Sequence, residues 1–340
     1  MDMTYVLAML VAPPLDFPPS MFARFFILLG ASCTAGFGSV TLQQADSFWK
    51  FDGAASGAAS NAQIVDFTGN HTASNATRLS WNTSVPATSP AGGAPQDTLG
   101  RALSFDPFVT VVGAGTADDT TAAATFQVAN GTVSGNFSVL TRAMWDGPVL
   151  GADGVTPNDV PGNYWLMNNG LGGNGIGFLF GLLGNADGQT ARLAYYTSAG
   201  GSFTGTRTST STLAITKGVW YDIGMVVDMG DGNAATPADN SVTFYLHGPG
   251  GLQTQTVTGM YISDATTTAP SSTLTVGSES GGVGTSNQRK SFDGSLDYLA
   301  MFDESLTQAE VQAIFAAPEP GRALLLGLGL AGMLLRRRRA

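Results

Sequence analysis

Acid–base, nucleophilic and metal chemistry each need particular side chains held close together, and this 340-residue chain is poor in them. Its glutamates are Glu279, Glu304, Glu310 and Glu319, its histidines His71 and His247, and its one cysteine Cys33. Hydrolysis of a sugar bond takes two carboxyl groups flanking that bond, and no two glutamates stand at strand spacing. Asp293 and Asp297 share one face only if their strand is regular. His247 precedes Gly248-Pro249-Gly250 and reads as a turn residue rather than a base. Zinc takes clustered Cys and His, which the chain lacks. No catalytic residue is expected.

Calcium takes hard oxygen ligands on a loop. Asp228-Met229-Gly230-Asp231-Gly232-Asn233 supplies them, with Asp228, Asp231 and Asn233 as candidate ligands and Asp239 and Asn240 closing the loop. The twelfth-position Glu of an EF-hand is missing, and a polar loop that merely turns the chain remains the alternative. Asp118-Asp119 and Asp153-Gly154 read the same way. Five tryptophans could stack on sugar rings. Trp145, Trp165 and Trp220 lie in strand patterns and read as core, whereas Trp81, in a polar stretch, is the expected exposed one. Gly170 to Gly177 lacks the lysine and following helix of a phosphate loop.

Both ends carry addresses. Met21 to Arg24 and the apolar Phe25 to Ala31 have the form of a secretory signal peptide within residues 1–38. Cleavage after Ala35 or after Gly38 fits equally. Pro13, Pro14, Pro18 and Pro19 fit no part of such a peptide, so Met21 is the expected start, with a long leading region from Met1 as the alternative. Gly30-Ala31-Ser32-Cys33 faintly resembles a lipoprotein box, without the leucine expected at Gly30. A single cysteine permits no intramolecular disulfide. At the other end Pro318-Glu319-Pro320 precedes Gly321, Arg322, an uncharged run over 323–335 and four arginines, Arg336, Arg337, Arg338 and Arg339. Thirteen helical residues span about 20 Å, short of a bilayer core of about 30 Å. Arginines at both ends extend the reach by snorkelling. The cluster Arg336 to Arg339 acts as a membrane stop on the cytoplasmic side.

This tail, 318–340, resembles a PEP-CTERM sorting signal, in which Pro-Glu-Pro, a hydrophobic transmembrane helix and an arginine cluster occur in that order. The resemblance implies an exosortase-type transpeptidase as partner, transient anchoring in the inner membrane, and release to the cell envelope or an exopolysaccharide matrix. Without 1–35 and 321–340 the chain keeps 9 basic and 23 acidic residues, a net charge of −14 against −10 for the whole. So acidic a body disfavours nucleic acid and anionic membrane surfaces as partners.

Residues 45–317 are rich in Gly, Ala, Ser, Thr and Asn, a composition poor in long helices. Short apolar runs bounded by Gly, Asn and Asp turns predict strands at 47–51, 102–105, 108–112, 137–145, 163–167, 177–181, 191–196, 220–227, 241–246, 274–277 and 296–302. Together they predict an all-β, antiparallel sandwich in one domain. Ser305 to Phe315 predicts a short C-terminal helix, with Thr307 and Glu310 at capping-box spacing and Leu306, Val311, Ile314 and Phe315 buried.

This ending resembles the laminin-G-like, concanavalin A-like family of lectin and glucanase sandwiches. Gly294, Leu296, Asp297, Leu306, Thr307, Glu310 and Val311 match its last strand and helix, as do Gly218 to Ile223 and Val242 to Gly248 two earlier strands. Inserts at 147–162 and 228–240 depart from it. Glucanases of the fold carry Glu-x-Asp-x-x-Glu on one strand, a pattern missing here. The resemblance implies an exported, non-catalytic protein that binds glycans or matrix components without a required cofactor. A polysaccharide hydrolase or lyase, or a structural biofilm protein with no discrete ligand, remain the alternatives. In a host with an exosortase, intact mass of the exported protein should show the tail removed, and replacing Pro318, Glu319 and Pro320 by alanine should retain it. A wild-type mass that keeps the tail would overturn the sorting reading.

Overall fold

In the computed structural model the described residues are 41–53, 56–77, 79–83, 101–105, 125–128, 135–147, 163–169, 178–199, 202–230, 239–259, 274–278 and 292–316. Both terminal addresses, Asp231 and Asn233, the Asp118-Asp119 and Asp153-Gly154 pairs, Gly170 to Gly177 and the strand expected at 108–112 lie outside them. No described helix is long and apolar enough to cross a membrane.

The chain forms β1 (Ser47–Lys50), β2 (Gly57–Ala58), β3 (Ala73–Thr77), β4 (Leu79–Asn82), β5 (Ala102–Phe105) and β6 (Thr125–Val128). Next come β7 (Phe137–Trp145), β8 (Asn163–Asn169), β9 (Phe178–Gly184), β10 (Thr190–Ala199) and β11 (Ser202–Thr216). The series ends with β12 (Trp220–Asp228), β13 (Ser241–Gly248), β14 (Gly251–Thr258), β15 (Leu274–Val276), β16 (Gly294–Phe302) and helix α1 (Gln308–Ala316). They build an antiparallel sandwich. One sheet has nine strands in the order β14-β13-β12-β7-β16-β5-β4-β2, with β1 also paired to β16. The other has seven, in the order β11-β10-β9-β8-β15-β6-β3.

Alternation along each strand sends one set of side chains between the sheets. Val139, Ala143, Ile223, Met225, Phe244 and Leu299 meet Leu166, Phe180, Leu182, Leu193 and Tyr195 there in one continuous core. The opposite side of the nine-stranded sheet is covered by α1. Leu140, Val226, Tyr245 and Ala300 pack beneath Leu306, Val311, Ile314 and Phe315. The helix starts as its sequence predicts: the Thr307 amide donates to Glu310 Oε2 at 2.7 Å, and the Glu310 amide to Thr307 Oγ1 at 3.3 Å.

Under the helix-bearing side lies a charged knot. Arg142 of β7, fully buried, reaches Asp297 Oδ2 of β16 at 3.3 Å and stands 4.0 Å from Asp222 Oδ1 of β12. Its guanidinium carbon lies 5.8 Å from the Trp220 ring centre, within cation–π range. The pairing on β16 depends on a bulge. Leu296 opposes Ala143 and Tyr298 opposes Arg142, so Asp297 is the extra residue. Bulging puts two consecutive side chains, Asp297 and Tyr298, on Arg142's side of the sheet. The even spacing that would have aligned Asp293 with Asp297 is lost, and Asp293 precedes the strand. Burial first, then the Asp222 charge, push the Tyr298 hydroxyl well above its ordinary pKa.

The tryptophan expectation needs one correction. Trp81 is 5 % exposed, not a surface ring. It lies on β4 facing the core, and its indole occupies the space where a side chain on Gly53 would sit. Removing one partner of a buried ion pair typically costs about 3–5 kcal/mol. Arg142→Met should therefore lower the unfolding free energy by about that much in urea titrations. A loss under about 1 kcal/mol would show that the knot does not hold the sheet.

Candidate functional site

The candidates drawn from the sequence separate in space. Asp228 ends β12, where its Oδ1 accepts the Gly230 amide at 3.0 Å, a local turn contact. Gly230 has φ +56 and packs against Asp239, so the described part of this loop has the geometry of a turn. Among the described residues no group of three or more His, Cys, Asp or Glu gathers as a metal would need. Asp297 is committed to Arg142. Trp145 faces the inter-sheet core as expected. Trp220 is buried as expected too, packed with Ala102 and Met144 on the other side of its sheet.

Trp165 is the exception that matters. Its neighbours Tyr164 and Leu166 point into the core, so Trp165 points to the outer side of the seven-stranded sheet. It forms a separate cluster there with Leu179 and Tyr196, and no described residue from outside that sheet joins them. Register defines three rows on this side. Asn163, Leu183 and Arg192 make the first, and Trp165, Gly181 and Ala194 the second. Thr275, Asn168, Leu179 and Tyr196 make the third.

The middle row is low because β8 bulges between Trp165 and Met167. A Cβ on Gly181 would collide with the backbone of Tyr164 and Trp165. With glycine and alanine beside it, Trp165 can lean across β9 and meet Tyr196 edge to face, with ring centres 4.8 Å apart and planes at 80°. Trp165, Asn168 and Thr275 are buried, while Tyr196, Arg192 and Asn163 are half-buried at the margin.

Polar atoms set this face apart from the core. Thr275 Oγ1, Arg192 Nε and Trp165 Nε1 are buried and have no hydrogen-bond partner. The indoles of Trp49, Trp81 and Trp145 share that condition inside the core, so an indole alone singles out nothing. The Tyr298 hydroxyl shares it on the helix-bearing side of the other sheet, so Thr275 Oγ1 and Arg192 Nε mark this face only together with the Trp165–Tyr196 pair. Strand alternation places no Asp or Glu on it among the described residues. Two aromatic rings, a low floor and a few donors are the make-up of a small-molecule site. A pair of residues able to pass a proton is missing from that set. The sequence put Trp165 on a strand but gave no sign of which side it faced.

No family model matches the chain, and no curated protein matches it. Solved structures resemble it weakly. The SAP-like pentraxin of Limulus polyphemus is 14% identical over 58% of this chain and 79% of its own, with a TM-score of 0.38. The Ruminococcus gnavus IT-sialidase CBM40 bound to alpha2,3 sialyllactose is 10% identical over 54% and 83%, at 0.36. The marine PL-14 alginate lyase of Aplysia kurodai is 13% identical over 62% and 83%, at 0.32. Similarities of this size carry no functional assignment.

The histidines lie away from this face. His71 contacts Asp46 at 3.3 Å. His247 is not in a turn but within β13, paired to Asp222 and Leu252, with its ring centre 6.3 Å from that of Phe315 on α1. Burial lowers its pKa from 6.5. With the folded value depressed, the unfolded chain binds the extra proton first, so stability falls as the pH drops below 6.5 towards the folded value. The urea midpoint should fall between pH 7.5 and 5.0, and His247→Gln should flatten that fall. An unchanged slope in the variant would remove His247 as its source.

Proposed function

We propose that this protein is an exported, non-catalytic glycan-binding sandwich, sorted by an exosortase-type enzyme through its C-terminal signal and working in the cell envelope or extracellular matrix. The observation that carries the binding reading is the outer side of the seven-stranded sheet. There the Trp165–Tyr196 pair stands over Gly181 and Ala194, among buried donors that the protein itself leaves without partners. An unsatisfied buried polar group costs about 1–3 kcal/mol. A ligand rich in hydroxyls removes that cost, and its apolar ring faces suit the half-buried Tyr196 ring, which Trp165 backs from beneath.

The described part of this face carries no carboxylate pair of the kind that hydrolysis of a glycosidic bond takes. The strongly acidic body fits a soluble existence after the tail is lost. The export and sorting part of the reading rests on the residues at the two ends.

A glycan array probed with the full chain, with and without calcium, should show saturable binding. Tyr196→Ala, at the half-buried margin where truncation disturbs the core least, should weaken it about tenfold, in keeping with about 1–3 kcal/mol for one stacking ring. Near-UV circular dichroism would verify that the variant is folded. Release of reducing ends or unsaturated sugars from any bound polysaccharide would instead establish an enzyme. Absence of both binding and turnover would leave a structural role.

A further inference from the structure

We infer that the ligand of this face is an anionic glycan, one bearing carboxylate groups, and that Arg192 is the residue that selects it. The inference rests on the glycan-binding reading and adds the chemical class. Ala191 and Leu193 point into the core, so Arg192 of β10 is held on the outer side, in register with Leu183 and Ala214. It is the one cation that strand alternation puts there among the described residues.

Arg192 is not engaged elsewhere. Its Nε is buried and without a partner. The nearest carboxylate in sequence, Asp187 of the β9–β10 turn, is spent on its own turn. It accepts the Gln189 and Thr190 amides at 2.9 Å each and the Thr190 hydroxyl at 2.7 Å. Those bonds, the Thr190 hydroxyl first, hold the Asp187 carboxyl below its ordinary pKa. Arg142, by contrast, is buried against two carboxylates. Arg142 and Arg192, both on strand faces, thus have opposite fates, one paired within the protein and one left with an unused donor.

Spacing fits the same ligand. Arg192 lies two residues from Ala194, which belongs to the Trp165 row. Two residues of strand cover about 7 Å, close to the reach of one sugar ring plus its carboxylate. A guanidinium binds a carboxylate in a planar fork, and a neutral sugar would give it nothing of that kind. In a chain of net charge −10, the acidic remainder of the surface disfavours a polyanion elsewhere, so a cation on a carboxylate-free face is where an anionic chain meets least repulsion.

The test is calorimetry with the full chain against oligogalacturonate and, separately, a neutral cello-oligosaccharide of equal length. Wild type should prefer the oligogalacturonate, and the preference should shrink with added salt. Arg192→Gln should weaken oligogalacturonate binding about 10- to 100-fold, as for loss of a hydrogen bond to a charged group, and neutral binding by clearly less, so that the preference is lost. Arg192→Lys should recover part of it, since the charge stays and the fork goes. Equal binding of both sugars, insensitive to Arg192→Gln, would overturn the selectivity and leave a neutral-glycan site. No binding of either, in protein shown to be folded, would overturn both readings together.

Discussion

The nine-stranded sheet depends on a single buried cation. Arg142 joins β7 to β12 on one side and to β16 on the other, so three strands far apart in sequence are fixed against each other through side chains as well as through the ladder. Charges removed from water are costly unless partnered, and this cost is what gives the arrangement its specificity. A register shifted by one residue would turn Arg142 into the apolar core and leave two aspartates without it. The bulge at Asp297 is part of the same constraint, because only the extra residue lets a carboxylate and Tyr298 share one side of the strand.

The seven-stranded sheet solves a different problem with a similar device. Its bulge on β8 lowers the ground beside Trp165 and requires glycine at position 181. On the helix-bearing sheet the bulge brings charges together and closes them off. On the opposite sheet it sets the β8 backbone close against Gly181, beside donors left unspent. The first arrangement closes its charges against one another, and the second keeps donors without partners.

Apolar alternation made β7, β12, β13 and β16 legible from the sequence with nearly their observed bounds, and the Thr307–Glu310 spacing made α1 legible to its capping contacts. Strands β11 and β14 were not legible. Their Thr, Ser and Gln residues carry little hydrophobic period, and they lie at sheet edges where such a period is not required. Trp81 was misread because its neighbours in sequence are polar, while its actual neighbour is Gly53. Trp165 was recognised as a strand residue but its direction was hidden, since a bulge directly after it, at Leu166, blurs the alternation that would reveal it. Arg192 gave no signal at all: one arginine in an apolar strand has meaning only once the rows on either side are known.

One consequence of the strand order concerns force. β16 is hydrogen-bonded to β7 on one flank and to β1 and β5 on the other, and α1 follows it after a short turn. That turn is stapled by Ser138 Oγ, which donates to the Glu304 carbonyl at 2.7 Å and accepts the Leu306 amide at 2.9 Å. Tension entering the chain beyond Ala316 therefore reaches an interior strand lengthwise, after first having to lift a docked helix. An edge strand under such tension would peel one bond at a time; β16 must shear both flanks together. The last strand and helix are thus arranged to resist a pull on the chain beyond Ala316.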